Sequence, residues 1–367
     1  MIPALALYLI GFLILQDFFL WILLRSNFRA YKGKMEEEWP NISILIPSRN
    51  EEANLPACLR ALESLDYPKE KIQVILGNDQ STDQTASILE HWAKGKPWVF
   101  IVNISADKLH SMNGKANALS QMAQKANGEA LLFTDADCMV PATWVKKMVA
   151  VWKRSEAGIV TGITNVKGLT FFEKMQSIDW WLTLGMVKVM DDLDISLTSM
   201  GNNMLISKEA YHAVGGYEGI PFSLTEDFEI GRQIQKKGFK GVHVVSSENL
   251  IETKGQKNFS DLLMQRKRWM AGAMALPGIW RIVLGLQVVF FPAMLYFCFL
   301  YPFEGLLIWL FKVVTQSVFI YSFALKSGER LKSWDLILYE IYYLITSWST
   351  IVYYFWPSKT DWKGRKY

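Results

Sequence analysis

"LLFTDADCMV", residues 131–140, runs from an apolar, strand-like stretch straight into two aspartates, Asp135 and Asp137. Like charges this close repel, so both stay ionised only beside something positive. Asp is common in turns at strand ends. An isolated Asp-x-Asp therefore means little, and the pair takes its meaning from its surroundings.

Those surroundings are regular. "ISILIP" (42–47), "QVILGND" (73–79), "FIVNI" (100–104), "ALLFTDAD" (130–137) and "GIVTG" (158–162) read as strands buried on both faces. Between them Leu55, Leu59, Leu62 and Leu65 recur at helical spacing, as do Ile88, Leu89 and Trp92 after a Thr82/Asp83 helix start. Further helices are expected from near Gly114 and after Pro141. The alternation predicts an α/β fold, an open and mostly parallel sheet with helices on both faces. Such sheets bind ligands at the carboxyl ends of their strands. There the sequence places Pro47, Arg49, Asn50 and Glu51 after the first strand, Asp79 and Asp83 after the second, and Asp135 and Asp137 after the fourth. Three strands thus deliver carboxylates to one rim. The pattern suits Mg²⁺ or Mn²⁺, hard cations that bridge carboxylate and phosphate oxygens.

The 367 residues allow one large or two medium domains, and the 51% hydrophobic content is unevenly spread. Residues 1–24 carry one charge, Asp17, and as a helix would reach about 36 Å, enough to span a bilayer. No basic start or small-residue cleavage site accompanies them, so a retained membrane helix over 1–25 is expected. Residues 40–258 read as a soluble catalytic domain and 259–281 as an amphipathic interfacial helix. Apolar blocks at 282–303, 305–325 and 334–356 form a C-terminal membrane region, and 357–367 a basic tail. Arg25, Arg29, Lys32 and Lys34 follow the first helix, and Lys359, Lys363, Arg365 and Lys366 follow the last block. Positive flanks face the cytoplasm, which predicts an integral protein of the inner or plasma membrane with its catalytic domain cytoplasmic. If all three C-terminal blocks crossed, the basic tail would finish outside, so one is expected to be re-entrant or interfacial. Cys58, Cys138 and Cys298 show no paired spacing, which gives no disulfide framework or zinc site. A net charge of +4 without a strongly basic motif away from the membrane flanks gives no support for nucleic-acid binding.

Two motifs follow downstream. "SLTEDFEIGRQIQKKGFK" sets Glu226 and Asp227 before a helical stretch, where acidic residues also simply favour a helix N-terminus. "MQRKRWMAG" sets Gln265, Arg268 and Trp269 in a Gln-x-x-Arg-Trp pattern, which on its own equally describes a basic helix on a membrane surface. Glu51, Asp79, Asp135-Ala-Asp137, Thr225-Glu226-Asp227 and Gln265-x-x-Arg268-Trp269, in this order, resemble an inverting glycosyltransferase of family 2. The similarity is to its membrane-bound branch of ceramide glucosyltransferases and cellulose, chitin and hyaluronan synthases. It covers about residues 40–275, with "NGKANAL" (113–119) and "GNNMLISKEAYHAVGGYE" (201–218) also similar.

The resemblance implies a nucleotide-sugar-binding fold of the GT-A type. Position by position it implies that Glu51 and Asp79 contact the nucleoside, Asp79 at the uracil edge, with Pro47 and Arg49 also binding substrate. Lys115 would reach the nucleotide or its phosphates and Asp135 the ribose or sugar, with Asp137 and Asp135 at the metal. Asp227, beside Glu226, would be the general base. Gln265, Arg268 and Trp269 would line the diphosphate and acceptor. Displacement of a sugar from a nucleoside diphosphate needs such groups, a cation for the leaving phosphate and a carboxylate for the attacking hydroxyl.

The expected activity is transfer of one sugar, UDP-linked as is usual in the family it resembles, to a lipid or membrane-embedded acceptor at the cytoplasmic face. Few apolar segments are available to enclose an export channel, which weighs against the alternative of a processive polysaccharide synthase. A non-catalytic nucleotide-sugar-binding scaffold is the alternative of another class, and it would have no need of Asp227. Trp180 and Trp181 read as core or interfacial aromatics, or as the wall of an acceptor groove. The tail "KTDWKGRKY" reads as an anchor on anionic lipid, or as a segment whose Trp362 and Arg365 fold back onto the donor site.

Overall fold

The computed structural model describes residues 2–31, 38–106 and 111–366, and of residues 2, 361, 362 and 366 the backbone alone. Lys32 and Lys34 of the first basic cluster lie outside the described residues, as does the side chain of Trp362. Two compact units share the chain: Met1–Arg29, Val166–Ile195 and Gly255–Thr360 form one, and Ala30–Asn165, Ser196–Lys254 and Asp361–Tyr367 the other.

The strands are β1 (Ile42–Ser48), β2 (Ile72–Asn78), β3 (Val99–Asn103), β4 (Ala130–Phe133), β5 (Ile159–Thr161), β6 (Thr164–Lys167), β7 (Met204–Ser207), β8 (Gly241–His243), β9 (Ile251–Lys254), β10 (Asp361–Trp362) and β11 (Arg365–Lys366). α1 (Ile2–Ser26) opens the chain, and α2 (Leu55–Glu63), α3 (Thr85–Ala93), α4 (Gly114–Ala123) and α5 (Trp144–Ser155) alternate with the first strands. Then come α6 (Phe171–Asp191), α7 (Lys208–Ala213), α8 (Glu226–Lys236), α9 (Phe259–Met274), α10 (Gly278–Leu300), α11 (Pro302–Lys326) and α12 (Ser333–Phe355).

The second unit is built on a seven-stranded sheet of order β3-β2-β1-β4-β7-β5-β8. β1 pairs parallel with β2 (Ile42 opposite Ile72) and with β4 (Ile42 opposite Ala130). The chain leaves β1 toward β2 on one side and returns to β4 on the other. The carboxyl ends of β1 and β4 therefore flank the topological switch point, where open α/β sheets take their ligands. Ile44, Leu59, Val74, Leu132 and Trp144 fill one buried layer, and Leu45, Leu119, Phe133, Met204 and Ile230 another. β4 is buried throughout.

Several expectations change. The strand expected over 130–137 stops at Phe133, so Asp135 and Asp137 stand in the turn beyond it. There Cys138 N–H donates to the Asp135 carbonyl at 3.1 Å. β3 is an edge strand with Phe100 46% exposed, not a strand covered on both faces. β7 runs antiparallel to β4 and β5, so the sheet is mixed although mostly parallel. α3 begins at Thr85 rather than Thr82, with the Asp83 carboxylate accepting from Thr85 N–H at 3.0 Å. The other Asp83 oxygen accepts from Glu52 N–H at 3.1 Å, so Asp83 ties the helix start to the loop after β1.

The other unit is helical. Thr170 and Glu173 cap α6 reciprocally, and this 21-residue helix belongs here rather than with the soluble sheet expected over 40–258. Ala6, Ile10, Leu13 and Ile14 of α1 pack with Phe290, Phe291, Met294 and Phe297 of α10. The helix expected over 259–281 ends at Met274, because Pro277 lacks an N–H and opens α10 as its N-cap residue. α10 and α11 are separated by Tyr301 alone.

Among the described residues three helices are long and apolar enough to cross a membrane: Pro3–Ser26, Gly278–Leu300 and Pro302–Lys326. α12, expected as the last apolar block, carries Asp335, Glu340 and many hydroxyls and is not one of them. Lys312 on α11 is buried, its Nζ 2.6 Å from Glu340 Oε2 on α12 and 3.0 Å from Gln316 Oε1. The rings of Phe290, Phe291 and Tyr343 close around its ammonium at 5.2–5.5 Å.

Candidate active site

The rim of the sheet unit collects most of the residues singled out by sequence. Asp79 follows β2, Arg49 and Glu51 follow β1, and Asp135 and Asp137 follow β4. Pro47 lies within β1 opposite Gly77, near the strand's carboxyl end. Lys115 reaches the rim from the first turn of α4, a helix started by Asn113, whose side chain accepts from Ala116 N–H at 2.8 Å. Lys115 Nζ lies 2.6 Å from Asp135 Oδ1 and 3.6 Å from Glu226 Oε1. Asn113 also donates to Glu226 Oε2 at 2.9 Å and to the Ser223 carbonyl at 2.7 Å. Sequence reading passed over Asn113, although it sits in the "NGKANAL" stretch.

Asp227 is the second residue of α8. Gly201 N–H donates to its Oδ2 and Phe228 N–H to its Oδ1, both at 2.8 Å. A Cβ at position 201 would come within 2.8 Å of the Asp227 carboxylate, so the glycine lets the backbone close on it. Desolvation, then the charge of Glu226, push the Asp227 carboxyl up to about 6 against the opposing pull of Lys115 and the two N–H donors. For Lys115 burial works against the charged form, but Asp135, Glu226 and Asp227 together outweigh it and hold the ammonium well above its usual range. Desolvation, then the charges of Asp135 and Glu51, push Asp137 up to about 6. The same acidity, added to burial, raises the Cys58 and Cys138 thiols. They are inert small core residues here.

Asp135 and Asp137 offer the hard oxygen donors that Mg²⁺ or Mn²⁺ takes, and the raised Asp137 marks surplus negative charge that a divalent cation would relieve. Among the described residues no group of three His, Cys, Asp or Glu side chains is placed to hold a metal by itself. The donor set fits an ion that completes its shell with phosphate oxygens. Ser48 Oγ and Thr134 Oγ1, buried at the ends of β1 and β4, have no hydrogen-bond partner among the described residues, which marks the same crevice as polar and unsatisfied.

The C-terminal hairpin β10–β11 belongs to this unit. Arg365 Nη1 and Nη2 lie 2.6 and 2.8 Å from the two carboxylate oxygens of Asp79, and the Lys363 ammonium pairs with Glu51. Sequence reading offered Trp362 and Arg365 for a return to the donor site and counted Lys363 only among the basic flank.

Gln265, Arg268 and Trp269 lie on α9, in the helical unit, apart from the sheet-borne set in the division of the chain. Trp269 meets Trp180 edge-on with centroids 5.4 Å apart. Trp181 is fully buried against Phe323, which makes it core. α9 is tied to α6 by an ion pair between Arg266 and Asp179, whose other oxygen accepts from Tyr339 OH at 2.7 Å.

A mixed α/β sheet with an acidic rim at its switch point is the GT-A arrangement of nucleotide-sugar transferases. The mannosyltransferase PcManGT from Pyrobaculum calidifontis, solved in complex with GDP-Man and Mn²⁺, shares the fold. The TM-score is 0.62 over 97% of this chain and 99% of that one, at 16% identity. A sequence profile described as glycosyl transferase family 21 matches residues 5–367, and the chain belongs to that family. The expected glycosyltransferase resemblance is borne out, with the profile giving family 21 where the motifs suggest family 2. The chain is 26% identical over 247 residues to beta-monoglucosyldiacylglycerol synthase of Trichormus variabilis, 66% of this chain and 51% of that one. It is 27% identical over 236 residues to the probable glycosyltransferase YdaM of Bacillus subtilis, covering 62% and 54%. With poly-beta-1,6-N-acetyl-D-glucosamine synthase of Staphylococcus epidermidis it shares 26% identity over 240 residues, covering 63% and 54%. The matches thus span about half the length of these curated relatives.

Proposed function

We propose that this protein transfers one sugar from a nucleoside-diphosphate sugar, UDP-linked by preference, to a lipid or membrane-embedded acceptor at the cytoplasmic face, with inversion at the anomeric carbon. The observation that carries the reading is the Asp227 carboxylate. It is oriented by two backbone N–H groups and raised toward neutrality on the rim that also bears Asp79, Asp135 and Asp137. A group so oriented and so tuned suits a general base, which takes the proton of an acceptor hydroxyl as that oxygen attacks the sugar. One displacement with one base inverts the centre and needs no second carboxylate nucleophile. Glu226 acts through Lys115 and Asn113, holding the ammonium beside Asp135 while its own charge raises Asp227.

Asp79 and Glu51, with Pro47 and Arg49, serve the nucleoside, and Lys115 the phosphates or the sugar beside Asp135. Gln265, Arg268 and Trp269 serve the diphosphate and acceptor sides. A Mg²⁺ or Mn²⁺ ion held by Asp137 and Asp135 would supply counter-charge to the departing diphosphate. Membrane topology supports a single side for all of this. If α1, α10 and α11 cross, as their length and composition allow, the chain after Lys326 lies on the same side as residues 27–277, where the positive flanks face the cytoplasm.

Purified protein given UDP- and GDP-sugars, Mn²⁺ and a lipid extract is expected to add one sugar mass to a lipid and to stop when EDTA removes the metal. The similarity to a poly-N-acetylglucosamine synthase keeps a second reading in view, and a ladder of masses would establish it instead. Donor binding without turnover on any acceptor would leave a nucleotide-sugar-binding scaffold.

The pH profile follows from Asp227. Below about pH 6 its carboxyl is protonated and cannot accept, so kcat is expected to rise as pH passes through about 6 and then level. A profile flat between pH 5 and 8 would remove Asp227 from the role.

A further inference from the structure

The C-terminal hairpin rests on the residues assigned above to the nucleoside. β10 and β11 pair antiparallel, Asp361 opposite Lys366 and Trp362 opposite Arg365, around a two-residue turn. Lys363 (φ +49°) and Gly364 (φ +80°) both hold the left-handed conformation that such a tight turn requires. The turn is gripped from both directions: Arg49 Nε donates to the Lys363 carbonyl, and Lys363 Nζ to the Arg49 carbonyl, each at 3.1 Å. Arg49 Nη1 also donates to the Asp79 carbonyl at 2.8 Å. The Lys363 ammonium meets Glu51, and the Arg365 guanidinium takes both oxygens of Asp79, whose side chain is only 3% exposed. That guanidinium packs so closely on Gly114, at the start of α4, that any Cβ there would strike it. Upstream the stem is held as well. Lys267 of α9 donates to the Trp356 and Ser358 carbonyls at 2.9 and 2.8 Å, between the end of α12 and the hairpin.

With the Arg365 guanidinium lying across both oxygens of a carboxylate left only 3% exposed, no open face of Asp79 remains for a nucleobase to approach. We infer that the hairpin is an internal ligand of the nucleoside subsite, and that Arg365 and Lys363 must leave Asp79 and Glu51 before a nucleoside diphosphate binds. This rests on the nucleoside role proposed for those two residues. The tail then sets a threshold on donor affinity, because only the fraction of molecules with the hairpin released is competent to bind. The cationic tip answers the acidic rim in the absence of donor, and the donor complex competes with it for the same residues.

The test uses the full chain in detergent with UDP and with GDP, each with Mn²⁺. By calorimetry Arg365→Ala is expected to lower the dissociation constant of the nucleotide that binds about tenfold, as a closed state favoured by that factor is lost. An unchanged or weaker affinity overturns the inference. Trypsin on the wild-type protein gives a second readout that needs no variant. Nucleotide with Mn²⁺ is expected to speed cleavage after Lys363 and Arg365, and protection would make the hairpin a cover that closes over bound donor, which also overturns it. Asp79→Ala separates the two levels. If it weakens binding while Arg365→Ala leaves binding unchanged, the competition is wrong and the nucleoside subsite stands. If neither variant alters binding, the subsite itself has been misplaced.

Discussion

Asp227→Asn is expected to lower kcat by about 10²- to 10⁴-fold, the usual yield of a positioned base, while nucleotide affinity stays within about twofold. The amide keeps the shape of the carboxylate and can still accept from Gly201 N–H or Phe228 N–H, which now donate to Oδ2 and Oδ1. Its NH₂ group faces the other donor, so one hydrogen bond is lost and a backbone N–H left unpaired, a cost of about 1–3 kcal/mol that leaves the fold intact. What disappears is the lone pair that receives the hydroxyl proton. Donor binding is spared because no nucleoside role falls on α8. Rates measured at saturating donor against a lipid extract, with UDP binding measured in parallel, check both halves. Near-normal turnover would mean that another group takes the proton, and parallel loss of binding would mean that Asp227 holds the donor.

The second large effect concerns Lys115. Its ammonium is the cation facing Asp135 at 2.6 Å and Glu226 at 3.6 Å, and it also opposes the charge on Asp227. Lys115→Met keeps much of the side chain's length and apolar stem but leaves these carboxylates mutually repelling. Removing one partner of a buried pair costs about 3–5 kcal/mol. Here about 3 kcal/mol is expected, since the Asp135 side chain remains 32% exposed and water screens part of the repulsion. Denaturant unfolding of the wild type and the variant reads this directly. Mn²⁺ should restore part of the lost stability if Asp135 and Asp137 take it up, and a stability loss below about 1 kcal/mol would show that solvent already balances the site. The same substitution also raises Asp227 further, moving the acid limb of any residual activity upward in pH.

The rim was readable because its signals are local. A buried parallel strand is a continuous apolar run, and a carboxylate just beyond it breaks the run visibly, as at Asp79 after β2 and Asp135 after β4. Lys115 and Asp227 were readable because each opens a helix with its own start pattern. β7 was not. Four residues running antiparallel need no crossover helix, so Met204–Ser207 carries no rhythm of the kind that marked its neighbours. α6 looks like any capped amphipathic helix, and its membership of the helical unit depends on packing such as Trp181 on Phe323, which no spacing encodes. The grip of Lys363 on Glu51 joins residues 312 positions apart. Composition showed a basic tail and the family resemblance offered a place for it, but local sequence could not pair individual charges.

The pair formed by Lys312 and Glu340 bears on how the chain is made. The two lie 28 residues apart, on successive helices. At roughly 5–20 residues per second, translation leaves an interval of about 1.5–6 s in which α11 has emerged and its counter-ion has not. During that time the Lys312 ammonium has only Gln316 of its own helix and the Asp17 charge of α1 to answer it, where an unpaired charge costs about 2.5–3.5 kcal/mol near the bilayer centre. Insertion of α11 is therefore expected to wait, at the translocon or at the bilayer surface, until α12 is synthesised. A ribosome stalled between the two helices would hold an unfinished membrane domain rather than a shorter one.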